Sequence, residues 1–179
     1  DYNTLRIRLR ETAFLTKGLK ISLTDLRKPE KKEDESDEEY KERIKNWKPE
    51  AETFHYEGGI KEFVQYLNRH KTTLYDKVIY CEGTKDDIYV EIALQHNNSY
   101  NEMVNSFVNN IITPEGGMHL TGFRSAMTKV FNDYARNNKL LKEKDDNLSG
   151  EDLREGLTAI ISVKIENPQF EGQTKQKLG

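Results

Sequence analysis

A single cysteine, Cys81, excludes an internal disulfide and fits a reducing compartment. Four histidines, His55, His70, His96 and His119, share no ligand spacing, so no metal site is expected. No apolar run approaches the ~20 residues that span a bilayer, and no signal peptide opens the chain. The expectation is a soluble, cytoplasmic protein with no membrane partner. Charge of one sign is also scarce, except in one place. The net charge of -3 conceals residues 30–42, whose eight acids against Lys31, Lys32 and Lys41 leave the remainder slightly positive. Bulk charge therefore neither favours nor excludes nucleic acid. With 35% hydrophobic and 33% charged residues the chain is polar, yet above the disordered range. At 179 residues it suffices for one domain, or one domain and part of another.

Periodicity then divides the chain. Leu5, Leu9 and Ala13 recur at i+4 as a buried helical stripe would, with Arg6 and Arg10 on another face and Gly18 placed to end the helix. Leu19, Ile21 and Leu23 alternate with polar residues as in a half-buried strand. One helix and one strand cannot build a core, so residues 1–27 read as the tail of a preceding domain. Residues 28–50 form a charged stretch bounded by Pro29 and Pro49. A short helix from Asp37 to Trp47 is expected there, either as a solvated surface insertion or as an acidic arm for a basic partner. From residue 51 the second domain begins. Ile60, Phe63, Val64 and Leu67 predict an amphipathic helix. Val78–Glu82, Ile88–Leu94 and Met103–Ile111 then read as three strands of an antiparallel meander.

A long helix over Leu120–Leu141 follows, with Leu120, Phe123, Met127, Val130, Phe131 and Tyr134 as its apolar stripe. Ser149 is a candidate N-cap for a short helix ending near Arg154. Leu157–Val163, apolar on both faces, predicts an interior strand, and the chain beyond Pro168 is polar and irregular. The fold class is α+β, a mixed sheet with helices on one face. Gly58-Gly59 and Gly116-Gly117 precede helical runs, where glycine amides can cradle an anion. Neither matches a P-loop, and turns needing positive φ are the plainer expectation. Cys81, among apolar strand residues, reads as inert core.

Several blocks, in order and spacing, resemble the ATPase (B) chains of bacterial DNA gyrase, with the topoisomerase IV ATPase chain as near neighbour. They include Arg8-Leu9-Arg10-Glu11, Tyr56-Glu57-Gly58-Gly59-Ile60, Ser106-Phe107-Val108-Asn109-Asn110 and Glu115-Gly116-Gly117. Further on come Asn132-Asp133-Tyr134-Ala135 and Gln169-Phe170-Glu171-Gly172-Gln173-Thr174-Lys175. Met118 departs from the threonine usual in that family, and the acidic stretch is not general to it. The resemblance implies a nucleotide-binding domain of the gyrase, histidine-kinase and MutL type, to which residues 1–27 would be the end. A transducer domain similar to the second domain of ribosomal protein S-five would occupy 51–179. Its loop would place Gln173 and Lys175 on the γ-phosphate of ATP, with Lys175 the catalytic cation.

The resemblance also implies Mg²⁺ and ATP as cofactors of the intact protein, with neither bound by this stretch alone. Its adenine-site and Mg²⁺-site motifs are expected upstream of Asp1. The implied partners are DNA, gyrase A and a second copy of gyrase B. Arg124, Lys129 and Arg136 would either be solvated or line the cavity through which DNA passes, acting on phosphates alone. From a different class, a non-catalytic RNA- or protein-binding module could share this fold.

Overall fold

In a computed structural model describing residues 1–179, the chain divides into two units between Glu57 and Gly58. The first holds α1 (Tyr2–Leu15), β1 (Lys20–Asp25), α2 (Asp37–Lys45) and β2 (Glu50–His55). β1 and β2 pair antiparallel from Lys20↔His55 to Asp25↔Glu50, which draws residues 50–57 into this unit and moves the boundary past the expected residue 51. α1 forms where expected, and of its expected stripe Ala13 is buried and Leu9 half-buried, but Leu5 is not. Leu5 is 53% exposed and Ile7 also faces out, while Tyr2, Ala13, Phe14 and Leu15 are buried. The arginine face lies on β2: Arg10 donates to Glu52 Oε1 at 2.6 Å, and its guanidinium sits 5.2 Å from the Phe54 ring centre. A two-stranded ribbon has little apolar surface to offer, so long arginine stems cover Phe54 while their heads reach a carboxylate.

The acidic stretch is ordered from within. Ser36 caps α2 in a capping box with Glu39. Arg43 grips Glu35 through two nitrogens, at 2.6 and 2.7 Å, and also donates to the Glu30 carbonyl. That contact holds the Glu35 carboxyl down at about 2. Tyr40 donates its hydroxyl to the Pro29 carbonyl. These bonds all stay within residues 29–45. Replacing residues 30–46 by a short Gly-Ser linker is therefore expected to leave the thermal midpoint within a few degrees, since closing a loop of altered length costs only about 0.6 kcal/mol per doubling. A drop beyond ~5 °C in a calorimetric scan would show that Tyr40 or Ile44 supports the rest.

The second unit holds α3 (Ile60–Asn68), β3 (Ile79–Lys85), β4 (Ile88–His96), β5 (Met103–Val108), β6 (Ile111–Ile112), α4 (Met118–Asn137), α5 (Gly150–Arg154) and β7 (Leu157–Lys164). Its five-stranded sheet runs β3-β4-β7-β5-β6. The antiparallel meander is thereby corrected, because β7 inserts between β4 and β5, antiparallel to the first and parallel to the second. The physical reason lies in β7 itself. Seven of its eight residues are buried, and a strand apolar on both faces is stable only in the middle of a sheet. The two tight turns, Asp86-Asp87 and Asn109-Asn110, put both residues at positive φ, as two-residue hairpins need and as Asp and Asn tolerate.

The α+β class and the mixed sheet stand, but the helices do not share one face. Leu157, Ala159, Ile161 and Val163 of β7 face Phe123 and Met127 of α4. Thr158, pointing the other way, donates to Asn68 of α3 at 2.7 Å. Alternation along β7 thus sends α3 and α4 to opposite sides. α4 also ends early, at Asn137, where Lys139 turns to φ +58°. Its expected stripe is corrected at two positions: Val130 and Tyr134 are exposed, whereas Asn132 and Ala135 are buried. Asn132 goes inside because it serves the following loop, donating to the Leu148 carbonyl and accepting from the Leu148 amide. Cys81 is exposed rather than core, since β3 is an edge strand. No helix is long and apolar enough to cross a membrane.

Candidate functional site

Asn109 fixes where the chain leaves the sheet, donating to the Ile165 carbonyl at 2.8 Å and accepting from its amide at 2.9 Å. Residues 169–179 then double back as a small hairpin. Its rungs are Gly179 N–H to the Gln169 carbonyl at 2.9 Å and Glu171 N–H to the Lys177 carbonyl at 3.0 Å. At its tip Lys175 N–H donates to the Gly172 carbonyl at 3.2 Å. Gly172 has φ +149° and Lys175 φ +56°. An extended run over residues 173–175 would aim Gln173 and Lys175 the same way; instead these residues form a turn. Gly172 removes the Cβ that would resist one end of it, and a left-handed lysine closes the other.

Gln173 and Lys175 are both exposed at this tip. Lys175 makes no ion pair; its ammonium lies 5.9 Å from the centre of the Phe170 ring, while Lys177 takes Glu171 at 2.9 Å. The base of the hairpin is less free than a polar, irregular stretch suggests. Leu178 is buried in the core formed by Phe123, Met127, Leu157 and Ile161. Sequence reasoning missed this anchor, though a lone leucine in a run of Gln, Lys and Gly was the available signal. The Leu178 amide donates to the Gly116 carbonyl at 3.0 Å, its carbonyl accepts from Met118 N–H at 3.2 Å, and the Gln176 carbonyl accepts from Glu115 N–H at 3.0 Å. The expected positive φ is found at Gly59, Gly116 and Gly117, though not at Gly58. The hairpin also walls a cleft of about 550 Å³ under α4, lined by Val90, Ile92, Phe123, Ile161 and Leu178. That lining suits no polyphosphate.

The three cations considered for DNA fare unequally. Arg136 spends its guanidinium on Asn147 and on the carbonyls of Lys142 and Asp145, securing the loop after α4. Arg124 donates twice to Glu102, which also meets Arg154. Lys129 is exposed and pairs with Asp133 one turn on. The structure does not bring them together with Gln173 and Lys175 through any bond or ion pair. No group of three or more His, Cys, Asp or Glu side chains is placed to hold a metal ion.

A profile describing DNA gyrase B matches residues 59–179. The chain belongs to the DNA gyrase B family. It is 55% identical to the gyrase B protein of Halalkalibacterium halodurans over 179 residues, all of this chain and 25% of that one. Identity to the gyrase B protein of Clostridium acetobutylicum is 57% over 180 residues, with the same coverage. The chain thus spans about a quarter of the length of these curated relatives. Among solved structures it is similar to the 43K ATPase domain of Thermus thermophilus gyrase B, crystallised with an aminocoumarin. There the TM-score is 0.78 at 36% identity, covering 99% of this chain and 42% of that one. The topoisomerase IV ATP-binding domain of Francisella tularensis, with a small-molecule inhibitor, gives 0.69 at 28% identity, covering 99% and 42%. The gyrase B family, rather than the topoisomerase IV neighbour, is therefore the one to which the Gln173 hairpin belongs. The alternative of an RNA- or protein-binding module finds no support in these matches.

Proposed function

We propose that in the longer gyrase B protein this chain couples ATP binding and hydrolysis to closure of a gate on DNA, with Gln173 and Lys175 contacting the γ-phosphate. The observation that carries the reading is an unpaired lysine at the exposed tip of a hairpin whose base is anchored, in a chain of this family. An ammonium over an aromatic ring at an exposed site gains about 0.5–1 kcal/mol, whereas a charge-assisted hydrogen bond is worth roughly 1.5–3 kcal/mol. A γ-phosphate within reach would take Lys175 from Phe170. Lysine supplies a compact charge with three donors, and the Gln173 amide adds a neutral donor whose carbonyl can orient water. ADP lacks the group they would touch, so the contact distinguishes nucleotide from product.

On this reading residues 1–27, with β2 completing their ribbon, belong to the nucleotide-binding portion and residues 58–179 to the transducer. ATP is the cofactor that the tip fits. For Mg²⁺ no suitable donor set is present among these residues. DNA, gyrase A and a second gyrase B are the partners, in the cytoplasm. Phosphoryl transfer asks the protein for positioning and charge stabilisation more than for covalent help, which is what an exposed tip on a fixed base can supply.

Hydrogen exchange in the intact gyrase B protein tests this. Amides of residues 172–177 are expected to slow with a non-hydrolysable ATP analogue and not with ADP. Equal exchange with the two nucleotides would remove the γ-phosphate contact.

A further inference from the structure

We propose that Gly117 is a positioning residue for Lys175: by letting the Leu178 backbone lie directly against the start of α4, it fixes the base from which the tip reaches. The inference rests on the γ-phosphate reading of Lys175 and adds the device that sets its reach.

The contact is backbone on backbone. A Cβ built on Gly117 would stand 2.2 Å from the Leu178 carbonyl oxygen, 2.6 Å from its nitrogen and 2.9 Å from its carbonyl carbon. No rotamer change relieves a clash with main chain. Gly117 also holds φ +130°, which side-chain-bearing residues rarely adopt. Gly122, within α4, is the contrast, because a Cβ there meets nothing within 4 Å.

The close approach serves both partners. The first amides of a helix have no partner within it, and α4 has no side-chain cap. The Leu178 carbonyl takes the Met118 amide instead, so the hairpin itself caps the helix. In return Gly116 accepts the Leu178 amide, and Glu115 N–H holds the Gln176 carbonyl. Residues 115–118 therefore grip one leg of the hairpin at Gln176 and Leu178, one and three residues beyond Lys175. Ser106 and Thr113 secure the other side of this turn: their hydroxyls lie 2.8 Å apart, and Thr113 donates to the Ser106 carbonyl on β5. The grip is thus continuous with the sheet. Only the tip, with Gly172 and Lys175 at positive φ, lies outside this grip.

The test uses the intact gyrase B protein, measuring ATP turnover with radiolabelled nucleotide alongside equilibrium binding of an ATP analogue. Gly117→Ala is expected to lower turnover at least tenfold while the dissociation constant changes less than threefold. Gly122→Ala should leave both unchanged. The discriminating step is the double variant. If Gly117 acts through Lys175, adding Gly117→Ala to Lys175→Ala lowers the residual turnover no further. A multiplicative loss would overturn the proposal, as would Gly117→Ala retaining more than half of wild-type turnover. Should Gly117→Ala fail to fold, Leu178→Ala, which loosens the same base while sparing the glycine, is expected to show the same dependence on Lys175. An independent loss in that variant would overturn the proposal. Failure of the underlying reading has a separate signature, namely Lys175→Ala alone keeping more than about a tenth of turnover.

Discussion

Lys175→Ala in the intact gyrase B protein is expected to lower ATP turnover by about 10²- to 10⁵-fold, the range for losing a preorganised charge at an acyl- or phosphoryl-transfer transition state. Nucleotide affinity should fall far less, because the tip would touch only the terminal phosphate. The size of the effect depends on the lysine's present company. Its only partner is the Phe170 ring, and no carboxylate competes for it. Lys175→Arg is expected to rescue only partly. A planar guanidinium is larger than an ammonium and presents its donors in a fixed fork. Steady-state turnover and equilibrium binding, measured for both variants, decide the matter. If Lys175→Ala keeps more than about a tenth of wild-type turnover, Lys175 is an ordinary surface residue.

The second large effect is one of stability, and it lies far along the sequence from the tip. Asn68 is 3% exposed at the end of α3. It donates to Gln95 at 3.1 Å and accepts from Thr158 at 2.7 Å and Asn97 at 3.2 Å, joining β4, the following turn and β7. Gln95 and Thr158 are themselves cross-strand partners. Asn68→Ala leaves the Thr158 hydroxyl without an acceptor and the Gln95 carbonyl without this donor. Each stranded buried group costs about 1–3 kcal/mol, so the loss should be roughly 2–6 kcal/mol. For a domain of this size the thermal midpoint should fall by about 10 °C or more. A calorimetric scan showing a drop below ~3 °C would mean that water or a shifted side chain satisfies the two groups.

Neither Asn68 nor Leu178 stands out in the sequence, and the reasons differ. Asn68 follows a clean amphipathic run, Ile60, Phe63, Val64 and Leu67, and a polar residue there reads as the solvated end of a helix. It is buried because β7 places Thr158 beneath it, ninety residues further along the chain. Leu178 sits in a polar stretch with no periodicity, and its role depends on a turn sixty residues upstream that only folding brings beside it. The tip residues are legible because a motif carries them, yet the motif does not give their backbone. In place of an extended segment, a turn with Lys175 at positive φ forms.

Much was decided by the sequence alone. Periodicity located α1, β1, α3, α4 and β7, because 3.6- and 2-residue repeats are properties of the local backbone. The two-sided apolar character of Leu157–Val163 required an interior strand, since no exposed position would tolerate it. The ordered blocks from Arg8 to Lys175 identified the family, because order and spacing together are far more restrictive than any one motif. Tertiary structure alone decided which strands are neighbours, which face of each helix is inward and which surface residues are spoken for. Strand pairing depends on contacts between distant residues. β7 displaces β5 from β4 although it comes last of the three, because its burial outweighs their proximity along the chain. On α1, Arg10 packs on Glu52 and Phe54, forty residues away, while Leu5 of the expected stripe stays exposed. Arg136 looks like a free cation until the loop after α4 folds onto it. Local periodicity reports what a segment can bury; the partner it meets determines what it does bury.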